Sequence, residues 1–425
     1  PGIRDPLWSR GLGDVYKRQI RGCYYRIVIP EIDSELGLNV YSTKFSGTNG
    51  KIKQNNKDFE VSEVISEKAL DTISEETGFA VYNLRKNGID TNHALHDVEK
   101  RFGLVLRALG LKDSNAITEQ FVQAKTISRS LEKIDGKKYS LTRIGFSKKP
   151  IAKQDMLGNK FKIKISDLTK DISQFNEHDK ILNFFGYQRF GSKRPITHLV
   201  GKAIIQNDYQ KAIDFLLNYS SKYDSEENNH YRKLIAERKS GLEIIEQLPR
   251  SMDIEIAVLR SLAKSNDQKT AIREIPLQMR RFYVQAYQSY IFNKTLSMAF
   301  EYEEELFLPK ENDVCYDRTG QLGKFQNEPD QRLTVPLVGH SYFKKTRFDY
   351  YIQKILETEE VSPSEFLIKD FQEISIEGGF RNSSIQCDNF QASNDIIEFQ
   401  LSRGSYATIV IREILKPGDP LSCGF

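Results

Sequence analysis

Apolar and polar residues alternate along this chain with two periods, and each period occupies its own stretch. Towards the N-terminal end the period is mainly two. YYRIVI at 24–29 reads as a short strand. GKIKQNNKDFEVSEVI at 50–65 reads as strand, polar turn and strand, with Phe59, Val61 and Ile65 alternating, and FAVYNL at 79–84 as a further strand. A helix is expected next: Asp90 or Thr91 caps it, Leu95, Val98 and Phe102 share one face, and Gly103 suits its stop. The apolar run LVLRAL predicts a buried strand, ending in the loop Gly110-Leu111-Lys112-Asp113. Strand-like TEQFVQAKTI follows, and KFKIKISD at 160–167 alternates cleanly.

The helical period dominates from about Leu199 to Ser265, and a long helix is expected over 280–300. Residues 303–365 mix short strands and loops, and over 396–415 (IIEFQLSRGSYATIVIREIL) the strand period returns. Strand-rich ends around a helix-rich middle predict an α+β fold. One domain would be built from 20–198 and 366–425, interrupted by an insertion at 199–365. A length of 425 residues fits two domains. Residues 1–19 are rich in Gly and Arg and hold the only tryptophan, Trp8; they read as a non-native or flexible leader.

Composition narrows the function classes. With 39% hydrophobic and 28% charged residues the chain is globular rather than wholly disordered. A net charge of only +4 means that any nucleic-acid surface must be local. No apolar run is long enough to span a bilayer, so no membrane association is expected. Cys23, Cys315, Cys387 and Cys423 form no CxxC pair, which argues against a zinc ribbon and fits a reducing, cytoplasmic compartment. His93 and His96 sit three apart on the expected helix with no further ligand in view, so no metal is expected.

Four segments carry candidate chemistry, each with a plainer meaning beside it. In GLKDSNAITEQ, 110–120, a Gly-led loop can present the Asp113 carboxylate at a cleft edge as a nucleophile; Asp before Ser-Asn is also an ordinary turn residue. In NFFGYQRFG, 183–191, aromatic faces could stack bases, amides read base edges and Arg189 pair with phosphate, or the rings could fill a core. Lys193 and Arg194 add charge just beyond. QAYQSYIFN, 285–293, has a helical stripe of Tyr287, Tyr290 and Ile291 that reads chiefly as packing. In RGSYAT, 403–408, Tyr406 at the mouth of a buried strand could stack on a displaced base or point into the core. FSKK at 146–149 and FKKTRF at 343–348 could follow an RNA backbone or be solvated faces.

Taken together and in order, these segments resemble the TruD family of tRNA pseudouridine synthases, from about Gly50 to Leu415. Gly110 to Asp113 with Ala116, Thr118 and Gln120 resembles the family's catalytic loop, and NFFGYQRFG its N-x-F-G-x-Q-R-F-G signature. AYQSYIFN is similar to the archaeal and eukaryotic branch, and GSYAT before Arg412-Glu413 to the C-terminal motif. The sequence departs from the pattern at Leu109, at Ser114 and Asn115 in place of basic residues, and at Tyr406, where bacterial members tend to have Phe.

The resemblance implies a pseudouridine synthase catalytic domain around a central, mainly antiparallel sheet, plus an inserted α+β TRUD domain, with RNA between them. It implies a cofactor-free, metal-free monomer that isomerises a uridine of tRNA, at position 13, with other RNA as a wider substrate class. Asp113 would be the nucleophile, or the base that opens a glycal route, held ionised by a nearby cation for which Lys53 is the candidate. Lys53, Phe59, Lys112, Asn183, Phe185, Gln188, Arg189 and Tyr406 would bind substrate, with Tyr406 and Phe59 enclosing the uracil. Two other readings compete. One is a non-catalytic RNA-binding protein on this scaffold. The other is a glycosidase-like hydrolase, which needs a second carboxylate facing Asp113; Glu119 is near in sequence.

Overall fold

Alternate residues of Phe59–Ile65 turn inward, so this strand, β1, lies with one face against a core and the other half covered. It is the middle of a ten-stranded sheet. The computed structural model describes residues 28–425 apart from 75, 113, 128–130 and 238–240. The other strands of this sheet's first part are β2 Ile73–Ser74, β3 Phe79–Asn87, β4 Leu106–Ala108, β5 Ile117–Ala124, β6 Lys133–Asp135, β7 Tyr139–Ser147 and β8 Met156–Lys164. Strands β9 Val314–Tyr316, β10 Leu322–Lys324, β11 Arg332–Leu337 and β12 Gly379–Asn382 form a second, four-stranded sheet. The first sheet is completed by β13 Cys387–Ser393 and β14 Ile396–Ser402.

The large sheet runs β13-β14-β8-β1-β5-β3-β7-β2, with β4 beside β5 and β6 beside β7. Among the described residues only the β1–β5 pairing is parallel; the fold is α+β with a mainly antiparallel sheet. Both ends of the chain contribute, since β14 pairs with β8 along its length. Helix Thr91–Phe102 starts as expected, with the Asp90 carboxylate accepting the His93 N–H, and stops at Gly103 in the left-handed region. Val81 and Tyr82, adjacent on β3, enter different apolar clusters, so both faces of the sheet are covered there.

From Thr197 onward helices follow one another: Thr197–Ile205, Tyr209–Asn218, Glu226–Glu237, Gly241–Ile245, Asp253–Ser265 and Gln268–Arg273. The long helix Leu277–Glu301 is buried on most sides. It crosses Thr197–Ile205 so closely that a Cβ on Gly201 would stand 2.0 Å from the Tyr283 carbonyl oxygen. The helices share one apolar core with β1, β8 and β14. The β11–β12 pairing crosses position 365, where the sequence suggests a domain boundary. Among the described residues no helix is long and apolar enough to cross a membrane.

Three expectations change. Residues 407–415 are a helix, not a strand. All nine residues are buried, Arg412 and Glu413 included, and the β-branched run Thr408 to Ile411 favours a strand on propensity. LVLRAL yields only the three-residue β4, and 50–58 gives a single bridge from Lys51 to Ser166 and a short helical turn before β1. The leader at 1–19 and most of the strand expected at 24–29 lie outside the described residues, and residues 28 and 29 are not strand.

His198 is buried in the first of these helices, stacked on Tyr290 and edge-on to Phe190. Burial pushes its imidazole down from 6.5 to about 4. Between those values the unfolded chain binds the extra proton, so stability is full above pH 6.5 and falls as pH drops towards 4. His198→Phe is expected to flatten this acid limb by on the order of 3 kcal/mol, read from urea melts across that range.

Candidate active site

Strand register builds the floor of a cleft. Val61 of β1 pairs with Thr118 of β5 on one side and Phe161 of β8 on the other. With Phe59 and Asn159 these residues line a cavity of about 990 Å3. The Phe59 and Phe161 rings meet edge to face at 6.2 Å, and the Lys53 ammonium lies 4.9 Å from the Phe59 ring centre.

One wall is the loop after Leu109. Leu111, Lys112, Ser114, Asn115 and Ala116 all line the cavity, and Asp113 lies outside the described residues. The loop is held from three sides. Gln120 Nε2 donates to the Gly110 carbonyl at 2.9 Å, and the Lys112 N–H donates to Thr91 Oγ1 at 3.0 Å. The Lys112 ammonium pairs with Glu63 Oε1 at 3.0 Å, with side-chain exposures of 9% and 0%. The second Glu63 oxygen accepts the Phe121 N–H at 3.0 Å. A carboxylate fully out of water is tolerable because both of its oxygens are engaged.

The facing wall is the start of helix Ala407–Leu415 with Gln188: Gln188, Tyr406, Ala407 and Thr408 line it. The Tyr406 ring is backed edge-on by Phe185 at 6.1 Å, and Thr408 Oγ1 donates to Gln188 Oε1 at 3.2 Å. Gly186 is needed for this approach, because a Cβ there would stand 2.9 Å from both Thr408 Oγ1 and Tyr406 Cδ1. Asp90, Ser192, Lys193, Lys222, Tyr223, Ser405, Leu421, Ser422, Gly424 and Phe425 complete the lining, in which Lys53, Lys112, Lys193 and Lys222 outnumber the one acid among the described residues, Asp90.

Of the candidates named from sequence, Lys53, Phe59, Lys112, Gln188 and Tyr406 line the cleft, and Asn183, Phe185 and Arg189 do not. Phe185 is buried behind Tyr406 against Phe292. Arg189 stacks between Phe185 and Phe282. Asn183 donates to the Asn382 carbonyl and accepts from Arg381. Phe184, Tyr187 and Phe190 are fully buried, so the rings of NFFGYQRFG build a wall instead of offering faces to bases. Lys112 lines the cavity with its charge already committed to Glu63. Arg194 is tied to Glu255 at 3.0 Å and to two backbone carbonyls. Tyr406 stands at the N-terminus of a buried helix, not at a strand mouth.

Other residues come from outside the sequence reading. Glu63 had a legible signal: it is a charged residue on the apolar register of FEVSEVI. Asn159, Phe161, Lys222, Tyr223 and the last residues reach the cleft only through tertiary folding. Thr118 faces the cleft, so Glu119 points to the opposite face, where it pairs with Arg85 at 3.2 Å. His93 is engaged with Asp90 at its own helix start. Among the described residues no three His, Cys, Asp or Glu side chains group as metal ligands would.

A cleft of this kind, cut into a mainly antiparallel sheet assembled from both chain ends, defines the class when the chain is compared with known proteins. The family model described as tRNA pseudouridine synthase D (TruD) matches residues 35–414. A Pyrobaculum islandicum relative carrying the name tRNA pseudouridine synthase D is 30% identical over 94% of this chain and 100% of its own length. One from Methanosarcina acetivorans is 29% identical over 92% and 98%. A solved structure from Methanosarcina mazei, under the same name, superposes with a TM-score of 0.73 at 28% identity, covering 92% of this chain and 99% of that one. The chain belongs to the TruD family.

Glu63→Ala leaves the Lys112 ammonium buried and unpaired. It is expected to lower stability by about 3–5 kcal/mol in urea unfolding, and adding Lys112→Met should restore most of that. Gly186→Ala forces a Cβ into Tyr406 and Thr408. It is expected to cost about 1–3 kcal/mol in the same assay, with a smaller loss when Tyr406→Ala removes the obstructing ring.

Proposed function

We propose that this chain isomerises a uridine of tRNA to pseudouridine, at position 13, with Asp113 as the group that attacks the ribose. The observation that carries the reading is one cavity, floored by Phe59, Val61 and Phe161. It is bordered on one side by Lys112 and Ser114, the sequence neighbours of Asp113, and on the other by Tyr406. Membership of the TruD family supports the substrate class. A nucleotide must leave its stack to be reworked in this way, and the cleft offers aromatic surface on two sides of it.

The reaction breaks the bond from ribose C1′ to uracil N1 and forms one from C1′ to C5. N1 gains a proton and C5 loses one, so the product has the mass of the substrate and no group donor is consumed. The Asp113 carboxylate acts on the ribose, either by bonding to C1′ as N1 leaves or by taking the C2′ proton on a glycal route. Phe59 and Tyr406 hold the detached uracil while it turns. The Lys53 ammonium, beside Phe59, is the cation of this reading that favours an ionised Asp113. Phe185 and Arg189 act through Tyr406, and Asn183 through Arg381, as positioning residues. The helical segment 199–365 is the inserted unit of this reading, facing RNA across the cleft.

The test is pseudouridine mapping on unmodified tRNA. Wild type is expected to convert one uridine, at position 13, and Asp113→Asn to bind tRNA with wild-type affinity and convert none. Conversion by Asp113→Asn rejects the nucleophile. Binding without conversion by wild type would favour an RNA-binding scaffold, and release of free uracil a hydrolase.

A further inference from the structure

Across the turn that carries Tyr406 lies a second cavity of about 220 Å3, whose lining includes Asn183, Tyr316, Arg381, Ser402, Arg403 and Ser405. Ser405 borders this cavity and the main cleft alike. Arg381, half-buried, comes from β12 and lies over the Phe185 ring at 4.0 Å, with the Tyr406 ring 5.9 Å away. Its Nε donates to the Asn183 carbonyl at 3.1 Å and its Nη2 to Asn183 Oδ1 at 2.7 Å. Both acceptors are uncharged. Nη1 has no acceptor among the described residues and sits on the Gly404 side, 3.8 Å from where a Cβ of that glycine would stand.

Five other withdrawn arginines of the molecule are paired with carboxylates. Arg412 pairs with Asp33, Arg347 with Asp313 and Glu304, Arg280 with Glu373, and Arg194 and Arg232 with Glu255. Arg381, like Arg189 and Arg107, has no carboxylate partner among the described residues, and of these three it is the one that lines this hollow. Burial pushes its guanidinium down to about 10, with Arg189 nearby acting in the same direction, so it stays charged at neutral pH. Arg403, exposed at the cavity edge, spends only its Nη1, on the Lys153 carbonyl at 2.8 Å. Two arginines and two serines around a small hollow, with no acidic residue among the described residues that line it, suit a tetrahedral oxyanion.

We propose that this hollow is a phosphate site for the RNA backbone, holding one phosphate beside the nucleotide that enters the main cleft. The inference rests on the tRNA reading above and deepens it. Because Arg381 also backs Phe185 and Tyr406, a phosphate bound there sits against the support of the stacking ring, so backbone docking and ring placement share one side chain.

The experiment uses tRNA carrying a single neutral methylphosphonate at each linkage around the target in turn. For wild type, one linkage is expected to cost about tenfold in Kd when neutralised. The same neutralisation is expected to cost Arg403→Gln and Arg381→Gln less than about twofold, and their salt dependence of log Kd should be shallower by about one. Arg403 is exposed, so its variant carries the test even where Arg381→Gln folds poorly. Equal linkage sensitivity in wild type and Arg403→Gln overturns the proposal. So does a saturable rise in melting temperature with inorganic phosphate, lost in Arg403→Gln, when no linkage couples to the arginine; that result assigns the hollow to free phosphate. Wild-type conversion of the unmodified control with no coupled linkage sinks this inference alone, whereas no conversion of that control takes the parent reading with it.

Discussion

The aromatic wall of the cleft depends on one ion pair buried behind it. Arg412 and Asp33 meet at 2.6 Å with both side chains fully out of water. Asp33 also accepts the Tyr187 hydroxyl at 2.7 Å, and the Arg412 guanidinium donates to the Leu38 and Val40 carbonyls at 2.9 Å each. Burial alone would push Arg412 down; Asp33, Tyr187, Tyr41 and Glu413 together more than offset that. Three remote segments are thereby fixed to one point: the stretch from 30 to 43, the NFFGYQRFG turn, and the helix that begins behind Tyr406. Glu413, next along, accepts the Ser42 and Thr43 N–H groups and extends the same lock. Replacing such a pair by apolar residues can leave stability unchanged. What it supplies here is register, because guanidinium, carboxylate and phenol fit in one arrangement and a slipped helix would strand all three.

A second buried pair does the same for the opposite wall. β1 carries Phe59 and Val61 to the cleft floor, and its alternation then turns Glu63 inward as well. Glu63 holds Lys112 with one oxygen and the β5 backbone with the other, so the loop around position 113 is tied to the strand that forms the floor. The two walls of the cleft are therefore referenced to the same sheet. One is fixed through Glu63 and Lys112, and the other through a helix keyed to Arg412 and packed over that sheet's core.

Much of this was legible in the residues, and the exceptions have physical causes. Asp90 and Gly103 bound a helix because capping and left-handed closure are local chemistry. The order of the motifs was enough to indicate the family, and with it the mainly antiparallel sheet. IVIREIL was misread because its β-branched residues favour a strand on propensity, and the acid and amide partners that let Arg412 and Glu413 sit buried on a helix are remote in sequence. The aromatics of NFFGYQRFG were legible as rings but not as core, since burial is decided by Phe292 and Arg381, which are remote in sequence. Arg381 itself lies in no recognisable motif; only folding brings it beneath Tyr406.

The same distinction explains how a chain of net charge +4 can hold a polyanion. Arg194, Arg232, Arg280, Arg347 and Arg412 are matched by acidic partners inside the protein and project no field of their own. Lys193 is exposed at the cleft rim. Lys222 there is mostly exposed and only loosely paired, 3.7 Å from Asp419. Arg403 and Arg381 lie just across the Ser405–Tyr406 turn. Charge counted along the sequence treats all of these alike. After folding, Lys193, Lys222, Arg381 and Arg403 stand around the cleft and the hollow beside it, where low-dielectric walls strengthen their charge. Cations grouped beside the cleft favour docking there in one orientation, which a reaction on a single nucleotide requires.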